Sequence, residues 1–581
     1  MPSRRSPFRL PRPDLEWLRL RLSRPESLLW YALLGLATGL ATGLLIVGFR
    51  LSVEGTQALM LPVHGENYEA LTLWLRFLLP LLGALAIGLI FVRFAKGIHV
   101  LGVARVMERM EYHQGHLTLR GLVLQFLGAA IAIVSGHSVG REGPHVYLGA
   151  AGGSLIGQWL SLPNNSIRTM VACGTAGGIA ASFNTPLAGV IFALEVLALE
   201  YSITGFIPII LAAVSANAVS VAAFGSAPVL RVPPFLLTSL SDLLPVILVG
   251  LAAGAVSAAY IEALQRCARF GKRFAYPWRI ALAGLSAGIC GVLFPEVMGL
   301  GYDTLRDLLT VQVPWTFLAL LLTMKLIATS TSVGFGIPGG TIGPAIFMGA
   351  VIGSLVAGLS GLLVPIDSAH TGYYALLGMG AMMGASLQAP LAALTAIVEL
   401  AHSPGVIMPG MLAIILAALT TSQVFRRDSL FLSVLRANGL DYRANPVVGI
   451  LRRSAVGGVM NTNFRRQPAV IAREAAERLM EEGPDWILID TEDGPTLLMP
   501  GIAIAAYLAQ EPEGEEIDLL AIPADRLELA PVHLQATLQE ALDILRSRGA
   551  DALYVSRPIA PGIDHIYGVL TKGRIESAYR Y

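Results

Sequence analysis

Charge is scarce in this chain. Asp, Glu, Lys and Arg make up 14% of its 581 residues, against roughly 25% in a soluble domain. Residues 326–366 contain none of the four, and neither do residues 170–194. Such runs exceed the roughly 20 residues that cross a bilayer, which argues against a large soluble core. Cysteine is nearly absent as well. Cys173, Cys267 and Cys290 fall in or near apolar segments without metal-ligand spacing, so they read as packing residues, with neither a disulfide framework nor a metal site expected. The alternating ten-residue segments of a membrane β-barrel are missing. No nucleophile–base group or metal cluster stands out, so the chain is not expected to be an enzyme.

The charges that remain are segregated. Residues 1–24 hold seven Arg against two acids, and a basic segment ahead of the first span favours a cytoplasmic N-terminus. A long span follows with no small-residue cleavage pattern, so no cleavable signal peptide is expected. Residues 457–581 hold 20 of the 40 acids and read as a soluble domain. The organisation expected is a cytoplasmic segment over 1–27, a membrane domain over 28–440, a linker over 441–456 and a cytoplasmic domain over 457–581. Candidate spans are 28–51, 73–93, 121–136, 170–198, 203–224, 240–261, 277–293, 315–330, 344–363, 373–399 and 405–423.

Inside the membrane part a pattern is written twice. Ser138-Val139-Gly140-Arg141-Glu142-Gly143-Pro144 precedes a Gly-Ala at 149–150, and Ser332-Val333-Gly334 leads through a glycine-rich stretch to Gly343-Pro344 and a Gly-Ala at 349–350. Ser182-Phe183-Asn184-Thr185-Pro186-Leu187-Ala188 is then matched by Ser386-Leu387-Gln388-Ala389-Pro390-Leu391-Ala392, with Glu195 and Glu399 each nine residues past the proline. Transporters often carry such duplications in inverted orientation, so that broken helix ends meet at a mid-membrane site. A helix start near Gly143 would present free N–H groups, which attract anions, and residues 339–344 could do the same from the other half. Glu142 would compete with the anion there, and by swinging away or taking a proton it would act as a gate; the alternative is a carboxylate satisfying its own helix start. Arg141 steers anions or pairs structurally. Glu195 and Glu399 serve helix ends or transport. Lys96, in Ala95-Lys96-Gly97-Ile98-His99-Val100, stands near an anion path or snorkels at the membrane edge.

These residues resemble the chloride channel and chloride–proton exchanger family, CLC. Gly140–Pro144 fits its central signature, Gly339-Gly340-Thr341-Ile342-Gly343-Pro344 a second, and Asn184–Gly189 with Glu195 a third. The resemblance implies an all-α polytopic membrane protein with two inverted repeats and broken helices. It also implies a homodimer with one anion pathway per subunit, lipid and small inorganic anions as partners, and no nucleic acid. By the same resemblance Glu142 is the gating glutamate, with Gly140, Arg141, Gly143, Thr341, Ile342, Phe431 and Lys96 as anion-binding or pore-lining residues. Three departures follow. Lys96 replaces a selectivity-associated serine and His99 a proline, Val196 stands where exchangers carry a proton-transfer glutamate, and Phe431 takes the place of a pore tyrosine. A gated chloride channel or uncoupled anion conductor of the cell inner membrane is therefore expected, with a chloride–proton antiporter as the alternative and a membrane sensor or scaffold behind both. Chloride is the simplest transported ion, with nitrate and bicarbonate left open by Lys96 and fluoride not preferred. No cofactor is required.

The tail resembles an α/β CBS pair, with copies at 457–510 and 525–581. Thr537 and Glu540 predict a capping box on a helix through Leu545. CBS pairs can bind a regulatory adenine nucleotide, for which Thr571 and Arg574 are the candidate contacts; packing without nucleotide is the other expectation.

Overall fold

The computed structural model describes residues 22, 27–62, 66–96, 101–197, 203–226, 243–311, 313–360, 368–437, 439–440, 446–491, 494–510, 514–560 and 563–578. The chain divides into two compact units, one of residues 31–158 and 167–443, the other of 1–30, 159–166 and 444–581.

The first unit is helical. Its first half contains α1 (Leu28–Met60), α2 (Leu73–Phe94), α3 (Gly102–Tyr112), α4 (Leu119–Val134), α5 (Glu142–Trp159), α6 (Asn164–Phe183), α7 (Pro186–Val196) and α8 (Ile203–Phe224). The second half contains α9 (Leu243–Gly271), α10 (Tyr276–Leu293), α11 (Tyr302–Thr310), α12 (Trp315–Gly334), α13 (Ile342–Ser360), α14 (Ser368–Leu387), α15 (Pro390–Ala401), α16 (Ile407–Leu419) and α17 (Leu430–Ala437). Among the described residues, eight helices are long and apolar enough to cross a membrane. Many large apolar side chains on them face outward, Leu29, Leu89 and Trp278 among them, as a lipid-facing surface requires and a soluble one does not.

Two expected spans are each broken in two. The run 170–198 divides between α6 and α7, and 373–399 divides between α14 and α15. The cause is local. Asn184 and Gln388 take left-handed φ values of 60° and 54°, and Pro186 and Pro390 follow as the first helical residues, where a missing N–H costs nothing. Hydropathy alone does not register such a break. The short amphipathic helices α3 and α11 also fell outside the expected spans.

The halves repeat their packing. Gly149 and Gly153 of α5 lie against the backbone of α6 at Gly174 and Met170, and Gly349 and Gly353 of α13 lie against α14 at Gly378 and Tyr374. Small residues let helix backbones approach where no hydrophobic force drives them together. The main apolar cluster extends from these pairs to α15–α17.

The second unit carries a six-stranded sheet in the order β1-β3-β4-β6-β7-β8. β1 (Phe464–Pro468), α20 (Arg473–Glu481), β3 (Trp486–Thr491), β4 (Gly494–Pro500) and α21 (Gly501–Leu508) form one β-α-β-β-α copy. β6 (Leu527–His533), α22 (Leu538–Arg548), β7 (Ala552–Ala560), β8 (Ile563–Thr571) and α23 (Lys572–Ser577) form the other. In each copy the first two of these strands are parallel and the next pair antiparallel, and β4 joins β6. The small strands β2 (Val470–Ala472) and β5 (Glu516–Asp518) pair apart from this sheet. Helices α18 (Pro446–Arg453) and α19 (Val456–Val459) lead in, α18 within the stretch expected as a linker. The expected capping box is present, with Thr537 accepting from the Glu540 amide and the Glu540 carboxylate from Thr537 N–H at 2.8 Å. Within the same unit, whose 159–166 stretch includes Asn164, that carboxylate also accepts from the Asn164 side chain at 3.0 Å, and the Asn164 backbone N–H donates to the Gln535 carbonyl at 3.0 Å.

Candidate functional site

The two glycine breaks meet. Gly140 and Gly340 form an antiparallel bridge, each N–H donating to the other's carbonyl at 2.7 Å. The approach requires glycine: a Cβ on Gly340 would stand 2.7 Å from the Gly140 oxygen and 2.8 Å from the Gly143 nitrogen. The turns leading in are built alike. His137 N–H donates to the Ala132 carbonyl at 3.0 Å, and Ile337 N–H donates to the Ser332 carbonyl at 3.0 Å. Gly136 and Gly336 both take positive φ. The structural register is thus a shift of 200 residues, which corrects the Ser-Val-Gly alignment. Ser138–Gly140 lies in the break, Ser332–Gly334 at the end of α12, and Glu142 corresponds to Ile342.

From this bridge α5 and α13 depart, with Glu142 and Ile342 as their first residues. The first-turn amides of a helix lack intrahelical acceptors and favour negative charge. Glu142 uses one of them across the repeat. Its side chain is fully buried, and Oε2 accepts from the Gly343 N–H at 2.9 Å. Oε1 accepts from the Tyr302 hydroxyl at 2.8 Å. A Cβ on Gly343 would lie 2.8 Å from Oε2, so glycine also makes the room that the carboxylate occupies.

Arg141 completes this side. Its guanidinium lies 4.7 Å from the Tyr302 ring centre, donates to the Ser182 carbonyl at 3.3 Å and stands 4.0 Å from a Glu54 oxygen. Glu66, in the loop after α1, lies near Arg141, and burial pushes its carboxyl up to about 7 against the pull of Arg141. Its Oε2 is buried without a hydrogen-bond partner. Ser138 Oγ and Thr329 Oγ1, 2.9 Å apart, tie the first break to α12.

Gly140, Arg141, Glu142 and Gly143 therefore gather with the 339–343 segment as the sequence implied. Thr341 and Ile342 are buried, and the Thr341 carbonyl accepts from the Tyr260 hydroxyl at 3.4 Å. Phe431 is buried on α17 in the same apolar cluster as Tyr260, Ile342 and Ile346. Lys96 is exposed in a turn with φ 45°, and it is not among the residues that touch Glu142. Gly97–Val100, including His99, lie outside the described residues. Thr571 is the N-cap of α23 and Arg574 is exposed.

Glu195 and Glu399 cap each other's repeats. Glu195 accepts from the Leu391 and Ala392 amides at 3.2 and 2.8 Å, and Glu399 from the Leu187 and Ala188 amides at 2.9 and 2.8 Å. Each carboxylate thus fills the N-terminus of the helix that begins at the other repeat's proline. Val196, the next residue on α7, is buried and apolar.

Sequence reasoning missed Tyr302 and Glu66. Both stand outside the repeated phrases. Tyr302 follows Gly299-Leu300-Gly301, a break of the same kind as the others, and only that resemblance could have drawn notice to it.

Comparison with known proteins agrees with this architecture. Residues 83–422 match the voltage gated chloride channel family. A ClcB-like chloride channel protein of Ralstonia nicotianae is 34% identical over 358 residues, 61% of this chain and 83% of that protein. The voltage-gated ClC-type chloride channel ClcB of Escherichia coli is 29% identical, over 62% and 86% of the two chains. Among solved structures, a slow cyanobacterial Cl−/H+ antiporter aligns with a TM-score of 0.63 at 22% identity, over 70% of this chain and 97% of its own. A eukaryotic CLC transporter aligns at 0.60 and 19% identity over 97% and 99%, tail included. The meeting of two glycine breaks around a buried glutamate and the match over residues 83–422 place this chain in the voltage gated chloride channel, or CLC, family.

Proposed function

We propose that this chain conducts chloride passively across the cell inner membrane, through a pathway that Glu142 closes. The observation that carries the reading is the Glu142 carboxylate, seated on the Gly343 N–H and the Tyr302 hydroxyl. A carboxylate on donors that face the start of a helix stands in for a small anion. When it is displaced or protonated, the same donors become available to chloride, and the backbone dipoles bind without the full charge that would trap the ion. Gly140, Arg141, Gly143, Thr341 and Ile342 line that pathway in this reading, and Phe431 closes an apolar side of it.

The second reading is a chloride–proton antiporter. It is favoured by Glu142 itself, which can carry a proton, and by the likeness to a protein named as a Cl−/H+ antiporter. Val196 speaks against it, because valine cannot hand on a proton from the far side. Chloride and proton movement measured together in proteoliposomes decide the matter. Robust chloride flux without chloride-driven proton uptake is the expected result, and uphill proton uptake driven by chloride would overturn passive conduction in favour of exchange.

Around this pathway we propose a homodimer with N-terminus and tail in the cytoplasm. The tail's two β-α-β-β-α copies support reading it as a CBS pair that regulates the pore by packing. Binding of ATP to the purified tail face, lost on Arg574→Ala, would instead favour nucleotide control through Thr571 and Arg574.

A further inference from the structure

We propose that Tyr302 is a side-chain ligand of the anion site that Glu142 guards. Its hydroxyl holds the carboxylate while the pathway is closed and holds the permeating anion once the carboxylate has left. The inference rests on the reading of Glu142 as the gate.

Two donors from separate elements converge on one carboxylate. The Gly343 amide reaches Oε2 from α13 at 2.9 Å, and the Tyr302 hydroxyl reaches Oε1 from the start of α11 at 2.8 Å. Departure of Glu142 would leave both donors bare in a buried site, which is costly unless another acceptor replaces it. A small anion offers the same negative charge and the same acceptor chemistry. The phenol is also held in place from two sides. Gly301 turns the chain at φ 75°, where a Cβ would press on the Phe347 ring at 2.8 Å, and the Arg141 guanidinium covers the ring at 4.7 Å. Phe431, the aromatic that the resemblance sets at the pathway, has no hydroxyl to offer. Tyr302 supplies one from a different helix.

Charged and titratable groups from several elements surround Glu142. Arg141 is its chain neighbour, Tyr302 and Asp303 come from α11, Glu66 from the loop after α1, Glu54 and Arg50 from α1, and Lys325 from α12. Lys325 is buried and donates to the Val297 carbonyl at 3.0 Å. Removing the Tyr302 hydroxyl leaves the carboxylate with the Gly343 N–H alone, and leaves an anion that replaces it with one donor fewer.

The test uses the full-length protein, wild type and with Tyr302→Phe, Glu142→Ala or both. Chloride titrated calorimetrically into Glu142→Ala and into the double variant is expected to bind on the order of tenfold more weakly to the double variant. Incorporation of 3-fluorotyrosine at 302 in the Glu142→Ala protein, a stronger donor in the same shape, is expected to tighten chloride binding, and this arm stands even if the phenylalanine variant does not fold. Chloride affinity in the double variant within twofold of Glu142→Ala, or no tightening with 3-fluorotyrosine, overturns the role of Tyr302. A Glu142→Ala protein that keeps the wild-type pH profile of chloride flux in proteoliposomes instead overturns the gate itself, so the two failures are distinguishable.

Discussion

The two glycine breaks have nearly the same backbone and opposite chemistry. Both turn through a left-handed glycine, both release a helix two residues after the bridge glycine, and their N–H and C=O groups pair with one another at 2.7 Å. At the head of the first helix stands Glu142; at the head of the second stands Ile342. The duplicated backbone supplies the donors, and in the reading proposed above the one side chain that differs between the copies supplies the control.

The backbone pairing is the most fragile part of the comparison. Gly340→Ala places a Cβ 2.7 Å from one main-chain atom and 2.8 Å from another, neither of which can move without opening the bridge. A cost of about 3 kcal/mol or more is expected, seen as loss of monodisperse protein on size exclusion. Gly48→Ala is the counterpart, because nothing lies within 4 Å of its added methyl. It should be neutral or stabilising by about 0.5–1 kcal/mol. Recovery of folded Gly340→Ala in good yield would show that the breaks do not depend on backbone contact.

The head residues break the symmetry next. Glu142→Gln mimics the protonated side chain and should raise chloride flux at neutral pH on the order of tenfold while flattening its pH dependence. Ile342→Gln at the equivalent place buries an amide and should cost about 1–3 kcal/mol of stability, leaving the shape of the pH profile as it was. A pH profile altered equally by both would mean that the two heads share the gating role.

The sequence was most legible where chemistry and chain position coincide. The uncharged runs announced membrane helices, Gly140–Pro144 announced the helix start at Glu142, and Thr537 with Glu540 announced a capped helix. It was least legible where neighbours decide. The Ser-Val-Gly likeness misplaced the register of the repeats, because a break is defined by turn geometry at Gly136 and Gly336 and by pairing of Gly140 with Gly340. Hydropathy ran straight through the breaks at Asn184 and Gln388, since a left-handed residue followed by proline changes direction without changing polarity. Tyr302 and Glu66 reach the site from short connections between helices, at the start of α11 and after α1. No local pattern around either residue predicts which carboxylate a phenol 160 positions away will hold.

The reciprocal caps offer a matched pair. Glu195 and Glu399 each hold two amides of the other repeat at closely similar distances, so Glu195→Gln and Glu399→Gln should each cost about 1–2 kcal/mol and lower the melting temperature in detergent by the same amount. Chloride flux per folded protein should change little in either. If Glu195→Gln alone lowered flux, that carboxylate would have a part in transport beyond its cap.

The smallest effect is expected at Lys96. The sequence sets this lysine where the family carries a residue tied to selectivity, whereas the structure places its side chain outward from a turn with φ 45°. A non-glycine residue in that conformation bears a cost of roughly 1–2 kcal/mol that glycine avoids. Lys96→Gly should therefore stabilise the protein by about 1 kcal/mol or less, the gain being offset by the extra freedom of an unfolded glycine. Lys96→Ser should leave chloride over nitrate selectivity within experimental error, since an exposed ammonium is screened over about 8 Å at physiological salt. Thermal unfolding in detergent checks the first, and reversal potentials measured in mixed anions check the second. A shift in selectivity with Lys96→Ser, growing as ionic strength is lowered, would return the lysine to the anion's path and make the entrance to the pathway, rather than the paired breaks, the seat of discrimination.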